Sequence, residues 1–313
     1  MPSPSAAVTA SLAPVFEPGF FSSGPVHVAL AVGGIVAIVS AAVGVFTVIR
    51  GQSFAGHSLA DIGTAGGSAA VWAGVSTIFG LVAFNVVAAG VMELIGIRRP
   101  RGRDLATGIV LGASLGLAAL FLYEDTISSS TTGATVTVLF GSIFTLAPGT
   151  TTIVAVLGAV SIALLALLYR PLLLSSLSYD LAAARGIPVR LVGGGFLLAL
   201  ALAVSLSAVT IGAILSTALL IGPAAVAERL TRRPARAIAV AAAVGIGSVW
   251  IGTLIAYDST VWLGGESLPV SFCIVGLVFV AYLASGLIAR ALPERRLERR
   301  PGARDALALP EVD

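Results

Sequence analysis

His57 and Asp61 are the two ionisable side chains whose types and spacing best suit chemistry, within the segment GQSFAGHSLADIGTAGG. A separation of four residues places both side chains on one face of a helix, one turn apart. An imidazole nitrogen beside a carboxylate oxygen suits borderline cations such as Zn²⁺, Mn²⁺ or Fe²⁺. The spacing therefore predicts a pair of metal ligands. An intrahelical hydrogen bond with only a structural role is the alternative interpretation of the same two residues.

Two side chains do not complete a metal site, since zinc usually takes about four ligands. The remaining ligands would come from other helices, from water or from a second copy of the chain. A single cysteine, Cys273, excludes an intrachain disulfide and any site built from several thiolates. Small residues around the pair would let neighbouring helices approach closely and leave room for a pathway; they are Gly56, Gly63, Gly66 and Gly67.

The basic residues are all arginine, and the sequence contains no lysine. A P-loop needs the lysine of GxxxxGK[ST] to reach the nucleotide phosphates. The chain is therefore not expected to be an enzyme, and any ATP hydrolysis must come from another subunit. We expect neither a permanently bound cofactor nor a nucleic-acid partner.

The composition predicts an all-α, polytopic bundle of membrane-spanning helices. Of 313 residues, 57% are hydrophobic and only 11% are charged, which cannot supply the polar surface of a soluble domain. Continuous apolar runs reach the roughly 20 residues that a helix needs to cross a bilayer. Eight or nine spans are expected, and the seventh carries Gly222-Pro223 and is predicted to be kinked or partial. The candidate spans are 26–49, 53–72, 75–97, 104–123, 150–169, 189–209, 211–228, 236–257 and 269–290.

The arginines predict how these spans are oriented. If nine spans alternate with the N-terminus outside, every arginine falls on one side, which the positive-inside rule makes the cytoplasm. On this basis residues 1–25 form an irregular, extracytoplasmic leader rich in proline. Residues 26–290 form the transmembrane domain, and residues 291–313 form a charged cytoplasmic tail.

The connection SSLSYDLAAARGIPVRL, on the arginine-rich side, carries the start and stop signals of a short helix. Ser178 suits the N-cap, and Asp180 suits the first turn. Arg185 suits the last turn, Gly186 the position after it, and Pro188 prevents continuation. A helix of this kind between two spans is either a docking point for a partner or only a connector.

Four segments resemble permeases of the zinc/manganese/iron class of ABC importers. The stretch from Arg50 to Gly67 is similar to the opening of that family's second helix, and FGSIFTLAPG at 140–149 is similar to its external FGxxL-type segment. SYDLAAARGIPVR at 178–190 resembles its ATPase-coupling segment. TIGAILSTALLIGPAAVAERLTRR at 210–233 resembles its glycine-led helix ending in a PAA stretch. Order and spacing agree from about residue 26 to 290.

The resemblance implies a permease that works as a pair in the bacterial inner membrane. It also implies two cytoplasmic ABC ATPase subunits and an extracytoplasmic metal-binding protein as partners. In that family an Asp followed four residues later by a His supplies metal ligands. Here the matching positions are His57 and Asp61, so the two residue types are exchanged, and the family's proline soon after them is absent. The transported ion would be zinc, manganese or iron, and the sequence does not choose among them.

Three other functions remain open from the sequence. A proton-coupled secondary metal transporter would use Asp61 or Glu93 as its coupling carboxylate. An ABC permease for a metal chelate would share the fold and the partners. A membrane scaffold without transport would use the pair only for stability.

Overall fold

The computed structural model describes residues 20–95, 100–129, 133–141, 143–146, 149–262 and 267–291, and over these residues every regular element is helical. A 3₁₀ turn at Phe20–Ser22 precedes the first α-helix, and another lies at Ile143–Thr145. The predicted leader and tail lie outside the described residues, apart from 20–25 and Ala291. The helices are α1 (Gly24–Ile49), α2 (Ser53–Trp72), α3 (Thr77–Ile95), α4 (Pro100–Ser129), α5 (Gly133–Phe140), α6 (Thr150–Leu177), α7 (Tyr179–Ala184), α8 (Val189–Ile211), α9 (Ala213–Leu230), α10 (Pro234–Trp262) and α11 (Val270–Ala291).

The all-helical membrane architecture predicted from composition is confirmed. Among the described residues, seven helices are long and apolar enough to cross a bilayer, namely α1, α3, α6, α8, α9, α10 and α11. The helices α2 and α4 have 20 and 30 residues and complete a set of nine helices of span length in the described part. Helix α2 is less apolar than the seven, because glycine, serine, His57 and Asp61 make up much of it.

The helices α1 and α8 form the centre of the bundle, and both are mostly buried. Helix α1 packs against α6, α8, α9 and α10, whereas α2 packs against α3, α4, α8 and α9. Outer helices such as α6 and α11 bury only a minority of their residues. In a bilayer that apolar exposed surface faces lipid, and it includes Leu167 and Leu287.

Polar contacts between buried helices add specificity to this apolar packing. Ser40 on α1 and Ser207 on α8 share a hydrogen bond of 2.7 Å between their hydroxyl oxygens. Asn85 on α3 donates through Nδ2 to Ser205 Oγ on α8 at 2.9 Å. The same amide lies against α2 at Gly63, where a Cβ would come within 2.8 Å of Nδ2. Asn85 on α3 therefore contacts both α2 and α8.

The sequence left open how the seventh span is interrupted. The helical structure is interrupted at Gly212, which has φ 86° and separates α8 from α9. Helix α9 then continues through Gly222 and Pro223 to Leu230 as a single helix of 18 residues. The segment is therefore a short but continuous helix, and a kink at Gly222-Pro223 stays a prediction.

Candidate metal site and docking helix

The candidate metal site lies in the second and third turns of α2, near the end that follows Arg50. His57 Nε2 and Asp61 Oδ2 are 3.5 Å apart. Two ligands bound about 2.1 Å from one cation, at tetrahedral or octahedral angles, lie ~3.0–3.4 Å apart. The observed separation therefore lets both atoms reach the same ion after a side-chain adjustment of a few tenths of an ångström.

The other imidazole nitrogen of His57 contacts a residue that the sequence analysis did not select. His57 Nδ1 lies 3.3 Å from Thr217 Oγ1 on α9. When Nδ1 carries the proton and donates it to this hydroxyl, the lone pair of Nε2 is free on the side of Asp61. Metal-binding histidines are commonly oriented in this way by a partner on their second nitrogen. Thr217 is therefore placed to orient the ring.

The pair is accessible, unlike most of its helix. The side chain of His57 is 51% exposed and that of Asp61 is 18% exposed, so an ion can approach from the His57 side. Further along the same face of α2, Thr64 and Ser68 are buried. Their hydroxyls donate to carbonyls of their own helix, Ala60 and Ala65 respectively.

One copy of the chain supplies an incomplete ligand set within its described part. No group of three or more His, Cys, Asp or Glu side chains comes together among those residues. Any further ligands must come from hydroxyl or carbonyl oxygens, from water or from another chain. The pair can hold a cation transiently, which suits passage better than storage.

The short helix predicted between two spans is observed as α7. Ser178 caps it, because its Oγ accepts a hydrogen bond from the Leu181 backbone N–H at 3.3 Å, and Asp180 lies in the first turn. Arg185 is the residue that ends the helix. Gly186 follows with φ 75°, and the Ile187 N–H closes the turn on the Ala182 carbonyl at 3.1 Å.

Helix α7 is anchored on one side and open on the other. Ala182 is fully buried and contacts the bundle, whereas Leu181 is 46% exposed. Asp180 and Arg185 are exposed as well. An exposed leucine flanked by charges of both signs gives α7 an unoccupied surface on the arginine-rich side.

Comparisons with known proteins agree with this architecture. The manganese transport system membrane protein MntC of Listeria innocua is 27% identical over 274 residues, covering 88% of this chain and 96% of the relative. The manganese import system permease protein ScaB of Streptococcus gordonii is 26% identical over 244 residues, covering 78% of this chain and 86% of the relative.

A solved structure also shares the fold. The structure of PsaBC from Streptococcus pneumoniae in complex with a Fab superposes with a TM-score of 0.73 at 25% sequence identity. The match covers 85% of this chain and 92% of that one. The sequence matches the ABC 3 transport family over residues 25–287, which is most of its length. The chain is a multi-pass protein of the bacterial inner membrane and belongs to the ABC 3 transport family.

Proposed function

We propose that this chain is the permease subunit of an ATP-driven importer of divalent metal ions, with Mn²⁺ as its first candidate cargo. The observation that carries the proposal is the His57–Asp61 pair, with 3.5 Å between Nε2 and Oδ2 on a largely buried helix. The family and the names of the manganese permeases MntC and ScaB support it. One nitrogen and one carboxylate oxygen form a ligand set that Mn²⁺ accepts along with water.

The proposed mechanism is alternating access. An extracytoplasmic binding protein delivers the ion, and His57 and Asp61 replace part of its hydration shell. A second copy of the permease, water or nearby hydroxyls complete the coordination. Binding has to be modest, since a site that holds its ion too tightly cannot release it. The permease itself carries out no covalent chemistry.

In this mechanism α7 is the surface that docks a cytoplasmic ABC ATPase. Its exposed Leu181 and charged Asp180 and Arg185 would contact the ATPase, while buried Ala182 passes movement to the bundle. The Ser178 cap and the Gly186 turn stabilise the two ends of this six-residue helix.

Uptake of metal into proteoliposomes tests the proposal. The vesicles contain the permease with its copurified ATPase and extracytoplasmic binding protein, and Mn²⁺, Zn²⁺ and Fe²⁺ are supplied separately with and without ATP. We expect ATP-dependent uptake of Mn²⁺ that falls at least about tenfold in His57→Ala and in Asp61→Ala, with assembly intact. Undiminished uptake in both variants would remove the pair from the mechanism. Uptake without ATP, driven by a proton gradient, would instead establish a secondary transporter, and a requirement for a chelator would establish a chelate permease.

A double exchange in the same assay separates ligand chemistry from ligand order. His57→Asp combined with Asp61→His keeps both ligand types on one helical face but moves the imidazole away from Thr217. We expect the double variant to retain more uptake than either alanine variant, with an altered preference among the three metals. Uptake as low as in the alanine variants would show that the order of the two residues is essential.

A further inference from the structure

The turn between α1 and α2 is short and rigid. Arg50 ends α1, Gly51 follows with φ 63°, and Ser53 begins α2. The Gly51 N–H bonds the Val48 carbonyl at 2.9 Å, and the Gln52 N–H bonds the Thr47 carbonyl at 2.8 Å. These are the two hydrogen bonds of a Schellman motif, in which the left-handed position favours glycine. A displacement of Arg50 is therefore passed to α2, whose second turn carries His57.

The side chain of Arg50 contacts the last turn of α6, which leads directly into α7. Its Nη1 donates a hydrogen bond of 2.9 Å to Ser175 Oγ, in the last turn of α6. Ser175 itself donates to the Leu172 carbonyl at 3.1 Å, which leaves its oxygen free to accept from the arginine. Ser175 lies three residues before Ser178, the residue that caps α7.

The same guanidinium also contacts α8. Its central carbon lies 5.3 Å from the centroid of the Phe196 ring, and Phe196 is fully buried. Cation–π contacts and hydrogen bonds from a charged donor are stronger where water is excluded. One side chain therefore joins the α1–α2 turn to the end of α6 and to the first half of α8.

We propose that Arg50 is a positioning residue that couples movement of α7 to the helix carrying His57 and Asp61. The proposal rests on the proposed function, in which α7 docks the ATPase. Displacement of α7 moves the end of α6, and the Arg50–Ser175 hydrogen bond transfers that displacement to the α1–α2 turn. Arg50 touches neither the ion nor the nucleotide, so its contribution lies in the number of ions moved per ATP.

Arg229 provides a matched control with the same chemistry in another place. Its Nη1 donates to the Tyr282 carbonyl at 3.0 Å, and its guanidinium lies 3.6 Å from the centroid of the Tyr282 ring. These contacts join α9 to α11. Neither of them reaches α6 or α7.

The test measures Mn²⁺ uptake and ATP hydrolysis together in proteoliposomes of the permease with its copurified ATPase and extracytoplasmic binding protein. We expect Arg50→Gln and Ser175→Ala to lower Mn²⁺ uptake per ATP hydrolysed by about five- to tenfold, a typical size for coupling between sites. Arg50→Lys, which keeps a charged donor, should recover part of the ratio. Arg229→Gln should lower the thermal midpoint and leave the ratio unchanged.

An unchanged ratio in Arg50→Gln or Ser175→Ala, with the complex assembled, would overturn the coupling role and leave the proposed function standing. An equal fall in Arg229→Gln would also overturn it, since the effect would then be a general loss of stability. If Arg50→Gln fails to assemble, Ser175→Ala decides alone, because it removes only a hydroxyl. If the parent complex neither binds an ATPase nor takes up Mn²⁺, the proposed function fails and this inference fails with it.

Discussion

Helices α1 and α2 follow each other in the chain and are both largely buried, yet their residue compositions differ. Helix α1 is mainly apolar, with isolated polar residues such as Ser40 and Thr47, and it is mostly buried. Helix α2 is also largely buried but is rich in glycine, alanine and serine, with His57 and Asp61 near its start. Its hydropathy is too low for it to join the seven apolar spans.

The difference shows what a helix gains when protein rather than lipid surrounds it. Helices α3 and α4 pack against α2 and shield it from lipid. The residues of α2 therefore need not be apolar. Small residues allow close helix contact, and Gly66 of α2 lies directly against Gly80 and Phe84 of α3. Polar ligands can then be placed on a helix at membrane depth without facing hydrocarbon.

The largest expected effect comes from filling the close contact between α2 and α3. A Cβ on Gly66 would meet the Gly80 carbonyl oxygen and would lie 2.6 Å from Phe84 Cβ. Gly66→Ala should therefore lower the free energy of unfolding by about 1–3 kcal/mol, as overpacking does. Thermal unfolding in detergent measures the change.

The same substitution on α1 is the control. At Gly34 the nearest atom to an added Cβ is Trp250 Nε1 at 3.5 Å, an ordinary contact. Gly34→Ala should therefore be close to neutral, because alanine favours helices more than glycine does. Equal losses in the two variants would show that the loss does not come from the close contact at Gly66.

A smaller effect is expected from removing the hydroxyl that orients His57. Thr217→Val deletes the partner of Nδ1 while keeping the shape of the side chain. We expect the apparent affinity for Mn²⁺ in the uptake assay to fall about tenfold, the lower end of the effects seen for partners of metal ligands. The fold and assembly should be preserved.

The matched control lies on α1. The hydroxyl of Thr47 bonds the Val43 carbonyl of its own helix at 2.9 Å, and among the described residues it makes no hydrogen bond to His57 or Asp61. Thr47→Val should leave the apparent affinity unchanged. A drop as large as that of Thr217→Val would mean that the assay reports helix stability rather than the orientation of His57.

Much of this architecture could be predicted from sequence because the signals are local. Continuous apolar runs predicted the spans, and Ser178, Gly186 and Pro188 predicted the short helix α7 and its ends. The four-residue spacing also predicted that His57 and Asp61 share a face, and the two side chains do approach each other.

What the sequence did not predict depends on contacts between distant segments. Thr217 lies 160 residues from His57, and Arg50 lies 125 residues from Ser175. Thr217 stands in the apolar motif TIGAILSTALLIGP, and a hydroxyl in an apolar helix commonly faces protein. This was the available signal that Thr217 contacts another helix. No local pattern indicates which helix it faces. The eight-residue helix α5 was also missed, because it is too short to produce a periodic signal.

Pulsed electron paramagnetic resonance of bound Mn²⁺ tests the central claim most directly. The chain contains only two histidines, and His27 bonds the Phe21 carbonyl at 2.7 Å at the opposite end of α1. With the full chain purified without a histidine tag, the account predicts a modulation from an imidazole nitrogen that disappears in His57→Ala and persists in His27→Ala. A nitrogen signal that survives in His57→Ala, or none in the parent with Mn²⁺ bound, would contradict the account.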